Sequence, residues 1–535
     1  MTLPRSAREV LDEHVTFKLE CVDRLYLNLY VPRLQRLEGV AWFWTHHRGH
    51  DFASSALMAP MTKSFVGSIE SFAAAEGVDL IVFGKGQRKE DVAKGYLRKF
   101  RGKEGVLFIG KAQEKVSVVR TERRRNPLTG QTYPWLVKST SMVNCYYIYC
   151  VDRDFGMFFL KFCSYFPYNG KLCCNGHEYL KRQLARRRIA YEALDNGLLR
   201  CDDPVAAQQI ANDLSAAKID ALLRKWLGRL PHPFTRQDRR AGFRYELSIL
   251  QAEFSLTQIF DQPAAGRIFF EQIIRDNLDL GRPDRVQVIF RRRVSRRTPG
   301  RFLTRVITDG VTPSLHVSYK HSRIKQYYKE GRGLRTETTI NDTYDFAIGR
   351  ALHNLAALRQ VGFTANRRLL DVQRISHDCL LGEEQFQQLH QPRTVRGQRA
   401  PALRFGSPHV IALLSALVLF RLLPNGFTNR ELRREVASLL GPQAPPLTPG
   451  RMSYDLRRLR LHGLIQRRAK SHRYQVTEFG FRAALFLTRS YVRLLRPGMA
   501  SLTSDSLPAP VPLRRALESV EVAIDKAWLQ QGVAA

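Results

Sequence analysis

Apolar residues recur with helical spacing in the C-terminal part of the sequence. They predict one apolar helix over residues 409–423 and a second, amphipathic helix over residues 429–440. Met452, Leu456 and Leu459 then follow at positions i, i+4 and i+7. Because this spacing places three side chains on one face, the sequence predicts a third helix with a buried apolar stripe.

The third predicted helix carries a cationic outer face and leads into a basic hairpin. Its polar positions are Tyr454, Arg457, Arg458 and Arg460. Short strands are predicted at residues 464–466 and 474–476. The turn between them contains five basic residues, which are Arg467, Arg468, Lys470, His472 and Arg473. Three helices followed by a hairpin predict a winged helix-turn-helix domain over residues 407–496.

The phrases H-G-L-I at residues 462–465 and R-Y-x-V-T-x-x-G at residues 473–480 are similar to the winged-helix domains of bacterial regulators and replication proteins. The resemblance implies that the third helix enters the major groove of duplex DNA. It also implies that the basic turn lies over phosphates or the minor groove. The alternative is a winged helix that only docks another protein, but the density of arginine favours DNA.

Upstream of this domain, strand and helix patterns alternate. A strand is predicted at residues 22–30. A strand at residues 78–83, a helix ending near residue 100 and a strand at residues 105–109 indicate an α/β layer. Antiparallel strands are predicted within residues 286–340. We therefore predict an α/β (α+β) body with mixed and antiparallel sheets, followed by the C-terminal winged helix-turn-helix domain.

Composition divides the chain into five predicted segments. They are an N-terminal α/β domain (1–200), a helical and antiparallel-sheet region (201–385), a linker (386–406), the winged helix (407–496), and a second linker with an amphipathic helix (497–535). The last helix has an apolar stripe made of Leu513, Leu517, Val520, Ile524 and Trp528. This stripe would pack on the body or on a second copy of the chain, forming a homodimer.

The net charge of the protein indicates a polyanionic partner. The 535 residues include 85 Lys and Arg against 49 Asp and Glu, a net charge of +36. Nucleic acid is favoured because each neutralised phosphate releases counterions, and an anionic membrane surface is the alternative. The longest apolar run, residues 410–423, contains Arg421 and is shorter than the ~20 residues of a membrane span. Without an apolar N-terminal signal, we expect a cytoplasmic, nucleoid-associated protein that does not enter membranes.

A stretch rich in aromatic residues, 146–168, predicts a hairpin that turns at residues 152–156. Asp152 and Asp154 in this turn, with Glu178 at the start of the next helix, are candidate ligands for Mg²⁺, because hard cations bind carboxylate oxygens. The alternative is ordinary turn chemistry for the aspartates and a favourable first-turn acid at Glu178. Some of the aromatic rings could stack on unpaired bases.

A later hairpin places several polar side chains on one face. Period-two alternation puts Lys325 and Tyr327 together on the first strand, and Arg335 and Glu337 together on the return strand. The two faces could meet across the hairpin. The alternative to a functional cluster is a surface ladder of cross-strand pairs.

The motifs K-x-Y-x-K at residues 325–329 and L-R-x-E at residues 334–337 resemble a strand pair of plasmid and phage replication initiator proteins, where it supports a DNA-nicking domain. The resemblance implies Tyr327 as nucleophile, with Lys325 and Glu337 assisting. A nearby cation would offset the phenol pKa near 10. The initiators' metal-binding histidine pair has no clear counterpart. More broadly, the chain resembles a bacterial family associated with mobile DNA that ends in a winged helix.

These patterns lead to one hypothesis and two alternatives. The hypothesis is a DNA-binding protein of a mobile element or plasmid-like system, with a winged helix that targets duplex DNA and a basic body that acts on nucleic acid in replication initiation or recombination. The first alternative is a metal- or tyrosine-dependent DNA nickase or nuclease. The second is a winged-helix transcriptional regulator or an RNA- or single-strand-binding protein. Whether the protein is an enzyme stays open at this point.

Overall fold

The computed structural model of the protein describes residues 11–262, 314–375, 383–441 and 444–492, except positions 12, 85, 330, 331, 396 and 424, together with residues 266, 269, 270 and 519. The chain divides into two compact units. Unit 1 comprises Met1–Asp276 and Arg282–Asp371, and unit 2 comprises Asn277–Gly281 and Val372–Ala535.

Unit 1 is built around a large mixed sheet. Its described strands are β1 (Val15–Tyr30), β2 (Leu80–Val82), β3 (Gly105–Arg125), β4 (Thr132–Asp152), β5 (Gly156–Cys163), β6 (Gly170–Asn175), β7 (Tyr191–Leu194), β8 (Gly197–Cys201), β9 (Glu246–Phe260), β10 (Ser314–Tyr319), β11 (Ser322–Lys329) and β12 (Gly333–Ile340). β7 and β8 form a small separate hairpin, and the other ten strands lie in the order β10-β11-β12-β9-β1-β6-β5-β4-β3-β2. β2 runs parallel to β3. The other neighbouring pairs among these strands are antiparallel.

Eight described α-helices accompany these strands. They are α1 (Leu37–Trp42), α2 (Ser55–Ala75), α3 (Lys89–Lys99), α4 (Gly176–Arg186), α5 (Pro204–Asn212), α6 (Ala216–Leu227), α7 (Arg236–Arg240) and α8 (Leu355–Ile375). α4 begins directly after β6 because the Asn175 side chain accepts hydrogen bonds from the backbone of His177 and Glu178. This cap places His177 at the end of a central strand.

The sheet joins the first two predicted segments. β1 and β6 come from residues 1–200, and β9 and β12 come from residues 201–385, yet β9 lies between β12 and β1. The α/β layer and the antiparallel block of the sequence prediction are therefore parts of one mixed sheet. A boundary at residue 200 does not separate two sheets, because β1 and β9 pair along nearly their whole length.

The aromatic residues of β4 and β5 form cores on the two faces of the sheet. Tyr146 and Phe162 are buried in the larger core with the apolar residues of β1. Tyr147, Tyr149 and Phe159 belong to a second core that packs against α3. Alternation along the strands sends neighbouring side chains to opposite faces. Because these five rings are buried, the expectation that they could stack on unpaired bases is not supported.

Unit 2 contains five described α-helices and two small hairpins. In chain order they are α9 (Glu383–His390), β13 (Arg393–Val395), β14 (Gln398–Ala400), α10 (Pro408–Phe420), α11 (Asn429–Leu440), α12 (Pro449–Leu461), β15 (Ile465–Arg467), β16 (Tyr474–Val476) and α13 (Glu478–Ser490). Thr428 and Glu431 form a capping box at the start of α11. Gly463, with φ of +77°, ends the turn after α12.

The core of unit 2 corrects the prediction of a linker over residues 386–406. This segment contains the end of α9 and the β13–β14 hairpin. Leu389 and Leu403 are buried in the same core as Leu413, Leu432 and Leu456. The segment is ordered because its scattered apolar residues enter this core, although its composition is that of a linker.

The predicted C-terminal linker at 497–512 and the residues of the dimerisation stripe, Leu513, Leu517, Val520, Ile524 and Trp528, lie outside the described residues. The same holds for the predicted strand residues 286–313. Within the described part of the chain, no helix is both long enough and apolar enough to cross a membrane.

Candidate functional site

Helix α12 presents opposite chemistry on its two sides. Met452 and Leu456 are buried in the core of unit 2, whereas Tyr454, Arg457 and Arg460 are exposed. At about 100° per residue, these three exposed side chains fall within one arc of the helix, away from the buried stripe. α12 thus exposes an aromatic ring and two guanidinium groups on a rigid element.

Arg458 does not belong to this exposed face, which corrects the sequence prediction. It is only 9% exposed. Its guanidinium donates hydrogen bonds to the backbone carbonyls of Pro401 and Ala402. Helical geometry explains the difference, because Arg458 lies between the outer arc and the buried Asp455. Arg458 therefore ties α12 to the segment after β14 and is not available to a ligand.

The exposed face of α12 borders a concavity of about 390 Å³. Its lining comes from three elements, β14, α12 and β16, and consists of Gln398, Ser453, Leu456, Arg457, Arg460 and Tyr474. Polar side chains dominate this lining, and both cations are arginines. Such a surface suits phosphate oxygens or base edges, since guanidinium can donate two parallel hydrogen bonds to either.

The hairpin that follows α12 carries the predicted basic turn. Arg467, Arg468, Lys470 and His472 are exposed. Arg473 is half-buried. Its Nε donates to the Asn425 carbonyl over 2.9 Å, its Nη2 donates to the Gly426 carbonyl over 2.8 Å, and Glu431 lies 3.3 Å away. Arg473 thus fastens the hairpin to the start of α11, and the four other basic residues remain on the surface.

Strands β11 and β12 bring the predicted residues of the second hairpin together. Lys325 lies opposite Glu337, and Tyr327 lies opposite Arg335. The Tyr327 hydroxyl donates a hydrogen bond to a Glu337 oxygen over 2.9 Å. The Lys325 ammonium lies 4.4 Å from the centre of the Tyr327 ring. Period-two alternation therefore predicted the relative positions of these four side chains correctly.

Arg335 extends this group into the interior of unit 1. Its Nη2 lies 2.6 Å from Asp23 and 3.3 Å from Nε2 of His177. Its Nη1 donates to the Asn196 carbonyl over 2.6 Å, and its Nε donates to Glu337. We call the residues Asp23, His177, Asn196, Tyr327, Arg335 and Glu337 the Arg335 cluster. It joins β1, α4, the β7–β8 turn, β11 and β12.

Burial and the fixed charge of Arg335 set the protonation states in this cluster. Burial, assisted by Arg335, lowers the pKa of His177 to about 3, so its ring is neutral at pH 7. Since Arg335 can only donate, Nε2 of His177 faces a donor at 3.3 Å, and it also lies 3.0 Å from the Ser255 hydroxyl. Burial alone would raise the pKa of Asp23, but the charge of Arg335 and the hydrogen bonds from Arg335 and Asn196 hold it below its usual value.

Tyr327, a member of the cluster, and Glu253, beside the cluster, both resist ionisation. Burial and the Glu337 carboxylate raise the pKa of Tyr327 far above its usual value. Burial also raises the pKa of Glu253, on the neighbouring strand β9, to about 7. The Tyr327 phenol is thus held in its neutral form and hydrogen-bonded to a carboxylate that could accept its proton.

The structure does not bring Asp152, Asp154 and Glu178 together as a metal site. Asp152 is buried and accepts hydrogen bonds from the Asp154 and Phe155 backbone, from Lys225 over 2.7 Å and from Trp226 over 2.9 Å. In separate ion pairs, Asp154 lies 2.7 Å from Arg186, and Glu178 lies 3.1 Å from Lys181. Their oxygens have protein partners, as the alternative of turn and helix-start chemistry expects.

Another group has suitable spacing for a cation but is explained by internal hydrogen bonds. His321, Asp342 and Asp345 each offer one ligand atom within 4.8 Å of the others. Asp345 already accepts from the backbone of His321 and from the Ser322 hydroxyl. Asp342 is paired with Arg350 at 3.3 Å, so both carboxylates have protein partners, and we assign no metal here.

A second basic concavity, of about 660 Å³, lies on unit 1. Five arginines from α6, α7 and the loop before β9 contribute to its lining, namely Arg224, Arg236, Arg239, Arg240 and Arg244. Arg224 is neutralised by Asp220 at 3.0 Å. The side chain of Arg239 donates to a backbone carbonyl of Thr235, and that of Arg244 donates to a backbone carbonyl of Arg239. With Glu246 as the one acid of the lining, the concavity is cationic.

Comparison with protein-family models gave no match for this chain, and comparisons with curated proteins and with solved structures gave no significant similarity. The geometry of the two units is therefore the basis for the functional proposal.

Sequence reasoning missed half of the Arg335 cluster. Asp23, His177 and Asn196 lie more than 130 residues before Arg335 in the chain. Asp23 sits at a register shift of β1 between Val22 and Arg24, which takes it out of simple alternation. The one available signal was Asp23, the single acid of the strand predicted at residues 22–30. An isolated acid does not indicate which residue it pairs with.

Proposed function

We propose that unit 2 is a winged helix-turn-helix domain that binds duplex DNA and places the α/β body on it. The observation that carries this proposal is the division of α12 into a buried apolar side and an exposed side with Tyr454, Arg457 and Arg460. Three helices followed by the β15–β16 hairpin have the order of a winged helix. The net charge of +36 supports a polyanionic partner.

In this proposal α12 enters the major groove, which is wide enough for one helix. From within the concavity, Arg457 and Arg460 would each contact a phosphate that borders the groove, with the base edges within reach. Arg467, Arg468, Lys470 and His472 on the hairpin would contact the phosphate backbone beside the groove. Arg473 and Arg458 would hold the hairpin and the β14 segment in place, through their hydrogen bonds to backbone carbonyls.

The role of the body is proposed from its own surface. The arginine-lined concavity of unit 1 supports direct contact of the body with phosphate groups. Together with the resemblance of the β11–β12 motifs to replication initiators, it favours a role in replication initiation or recombination of a mobile element or plasmid-like system. Such a protein would associate with the nucleoid.

A second candidate function is DNA strand cleavage by Tyr327. The hydrogen bond of 2.9 Å from its hydroxyl to Glu337 favours this candidate, because Glu337 could take the phenolic proton during attack on a phosphate. Lys325, above the ring, would stabilise the phenolate. The phosphodiester bond would break as the tyrosine–phosphate bond forms, and the leaving 3′ or 5′ oxygen would take up a proton.

The DNA-binding proposal is tested by measuring the affinity of the full-length protein for a labelled mixed-sequence duplex. We expect the double variant Arg457→Ala, Arg460→Ala to bind at least about tenfold more weakly, since each charged contact contributes roughly 1–3 kcal/mol. Arg458→Ala serves as the control within the same helix: it should lower stability but leave the affinity of the folded protein nearly unchanged. Equal affinity of the double variant and the wild type would refute the proposal.

The cleavage candidate is tested separately with supercoiled plasmid and either Mg²⁺ or Mn²⁺. Conversion to open circles that is lost in Tyr327→Phe and reduced in Glu337→Gln would support it. A plasmid that stays supercoiled, or nicking that persists unchanged in Tyr327→Phe, would remove Tyr327 as nucleophile without affecting the DNA-binding proposal. Stronger binding of single-stranded DNA or RNA than of duplex would instead support the single-strand alternative.

A further inference from the structure

Strands β3 and β4 extend beyond the sheet as a two-stranded ribbon. β2 pairs with β3 only as far as Lys111, and β5 pairs with β4 only from Cys145 onward. Beyond these points β3 and β4 continue to pair with each other, from Lys115 opposite Met142 to Arg125 opposite Thr132. In the described part of the chain, no other strand pairs with this ribbon.

The inner half of the ribbon packs on the body, and its outer half does not. Val118 and Val119 are buried, and the Thr121 hydroxyl accepts a hydrogen bond from the Ser55 backbone over 2.7 Å. Further out, both faces become accessible: Arg123, Arg124 and Arg125 follow one another along the strand and all are exposed. Leu136, opposite Thr121, still packs against the larger core, so the outer part has four residues per strand, 122–125 and 132–135, and is roughly 14 Å long at about 3.4 Å each.

This outer part is cationic. Residues 122–135 contain three arginines and one acidic residue, Glu122, which gives a net charge of +2 (3 − 1), and the exposed Arg120 lies at the base of this part. None of the four arginines has an acidic partner within ion-pair distance among the described residues. A charge of this density on a two-stranded element favours a polyanionic ligand.

One face of the ribbon combines arginine with exposed aromatic rings. Arg124 lies opposite Tyr133, and Arg120 lies opposite Val137 on the same face. The Arg124 guanidinium is 4.7 Å from the centre of the Trp135 ring, and Tyr133 meets Trp135 edge to face at 6.2 Å. Tyr133 and Trp135 are 40% and 44% exposed. Tyr and Trp are enriched at interfaces, because each combines an apolar ring with a polar group.

We propose that the outer part of the β3–β4 ribbon is a second DNA-binding element, which inserts into the major groove of duplex DNA. A two-stranded ribbon fits a groove about 12 Å wide and 8.5 Å deep, and roughly 14 Å of free length is enough to reach the base edges. Arg124 faces the base edges, while Arg120, Arg123 and Arg125 contact the flanking phosphates. The inference rests on the proposed function in assuming a DNA ligand, but not on unit 2.

The test compares matched variants of the full-length protein in duplex binding. Arg120→Ala, Arg124→Ala removes two ribbon charges, and Arg98→Ala, Lys99→Ala removes two exposed charges from α3. We expect the ribbon variant to bind the duplex at least about tenfold more weakly than the α3 control. The dependence of log affinity on log salt should also fall by about 0.9, since the variant loses the one phosphate contact of Arg120 and each such contact contributes ~0.9.

The same ribbon change is then made in the Arg457→Ala, Arg460→Ala background. A further loss of similar size is expected, because the ribbon belongs to unit 1. If the ribbon variant binds like the α3 control while Arg457→Ala, Arg460→Ala weakens binding, the ribbon inference fails and the proposed function stands. If the ribbon variant weakens binding and the unit 2 variant does not, the ribbon inference holds and the unit 2 proposal fails.

An anionic membrane is the competing partner for arginines beside tryptophan and tyrosine. Cosedimentation with phosphatidylserine–phosphatidylcholine vesicles separates the two. Ribbon variants that lose vesicle binding but keep full duplex affinity would overturn the inference. Loss of duplex affinity, with vesicle binding absent or unchanged, would support it.

Discussion

Arg335 and Asp23 form a buried ion pair of 2.6 Å, although they lie 312 positions apart in the chain. Their relative exposures are 0% and 3%. The pair links β12 to β1 across the intervening strand β9. Asp23 thereby holds the Arg335 guanidinium, which also contacts Glu337 and His177. Tyr327 and its carboxylate partner therefore depend on a residue near the N-terminus for their position.

Asp23→Ala should lower the stability of unit 1 markedly. Removing one partner of a buried pair leaves an uncompensated charge and typically costs about 3–5 kcal/mol. Asp213→Ala is the control, because Asp213 pairs with Lys218 on the surface and its loss should cost less than about 1 kcal/mol. Urea unfolding followed by tryptophan fluorescence measures both. Similar losses in the two variants would contradict the structural role of the pair.

Glu253→Gln should change how stability depends on pH. The folded-state pKa of Glu253 is raised to about 7 from a usual value of 4.5. The protonated form therefore stabilises the fold below pH 4.5, and this contribution is lost as the pH rises through 7. Glutamine stays neutral at both pH values, so the variant does not lose this stability as the pH rises. The unfolding free energy of the variant, relative to that of wild type, should therefore rise by on the order of 2–3 kcal/mol between pH 5 and pH 8.

The comparison with wild type is needed because His177 acts in the opposite direction. Its folded-state pKa is lowered to about 3, so its contribution is present above pH 6.5 and declines as the pH falls below that value. Denaturant unfolding at pH 5 and pH 8 gives the required difference. If the unfolding free energy changes by the same amount between pH 5 and pH 8 in Glu253→Gln and in wild type, then Glu253 is already ionised in the folded wild-type protein at pH 5.

Gly480→Ala should disrupt unit 2, whereas Gly450→Ala should not. A Cβ on Gly480, in the first turn of α13, would lie 1.9 Å from the Leu464 carbonyl oxygen, so the helix or β15 must move. Such overpacking costs roughly 1–3 kcal/mol or more. A Cβ on Gly450 meets no atom within 4 Å, and alanine there should stabilise α12 by about 0.5–1 kcal/mol.

Thermal unfolding of the two variants, followed by circular dichroism, checks this pair. The melting temperature should fall in Gly480→Ala and stay equal or rise slightly in Gly450→Ala. A normal melting temperature for Gly480→Ala would contradict the close packing of α13 against the backbone of Leu464, directly before β15.

Local patterns predicted the parts of the site that depend on neighbours in sequence. Alternation on two strands joined by a tight turn was enough to place Tyr327 beside Glu337, because the register of a short hairpin is set by its turn. Helical spacing likewise separated the buried Met452 from the exposed Arg457. Tyr327 and Glu337 lie within one hairpin, and Met452 and Arg457 lie within about two helical turns.

The features that were missed depend on long-range packing. No local pattern brings Asp23 to Arg335, because the pairing of β1 with β9 and of β9 with β12 must form first. Arg458 is of a residue type that often contacts DNA. Its burial depends on a hydrogen bond to the Pro401 carbonyl, which lies in the segment that was predicted to be a linker. Tyr146, Tyr147 and Tyr149 of β4 indicated a ligand surface by composition, but the structure buries them in the two cores of unit 1.

The most direct test of the central claim is the salt dependence of duplex binding by the full-length protein. The proposal predicts that log affinity falls linearly with log salt, and that Arg457→Ala, Arg460→Ala reduces the slope by about 1.8, or ~0.9 per phosphate contact. The α3 control, Arg98→Ala, Lys99→Ala, should keep the wild-type slope. Parallel lines for all three proteins would contradict the assignment of α12 as the DNA-binding helix.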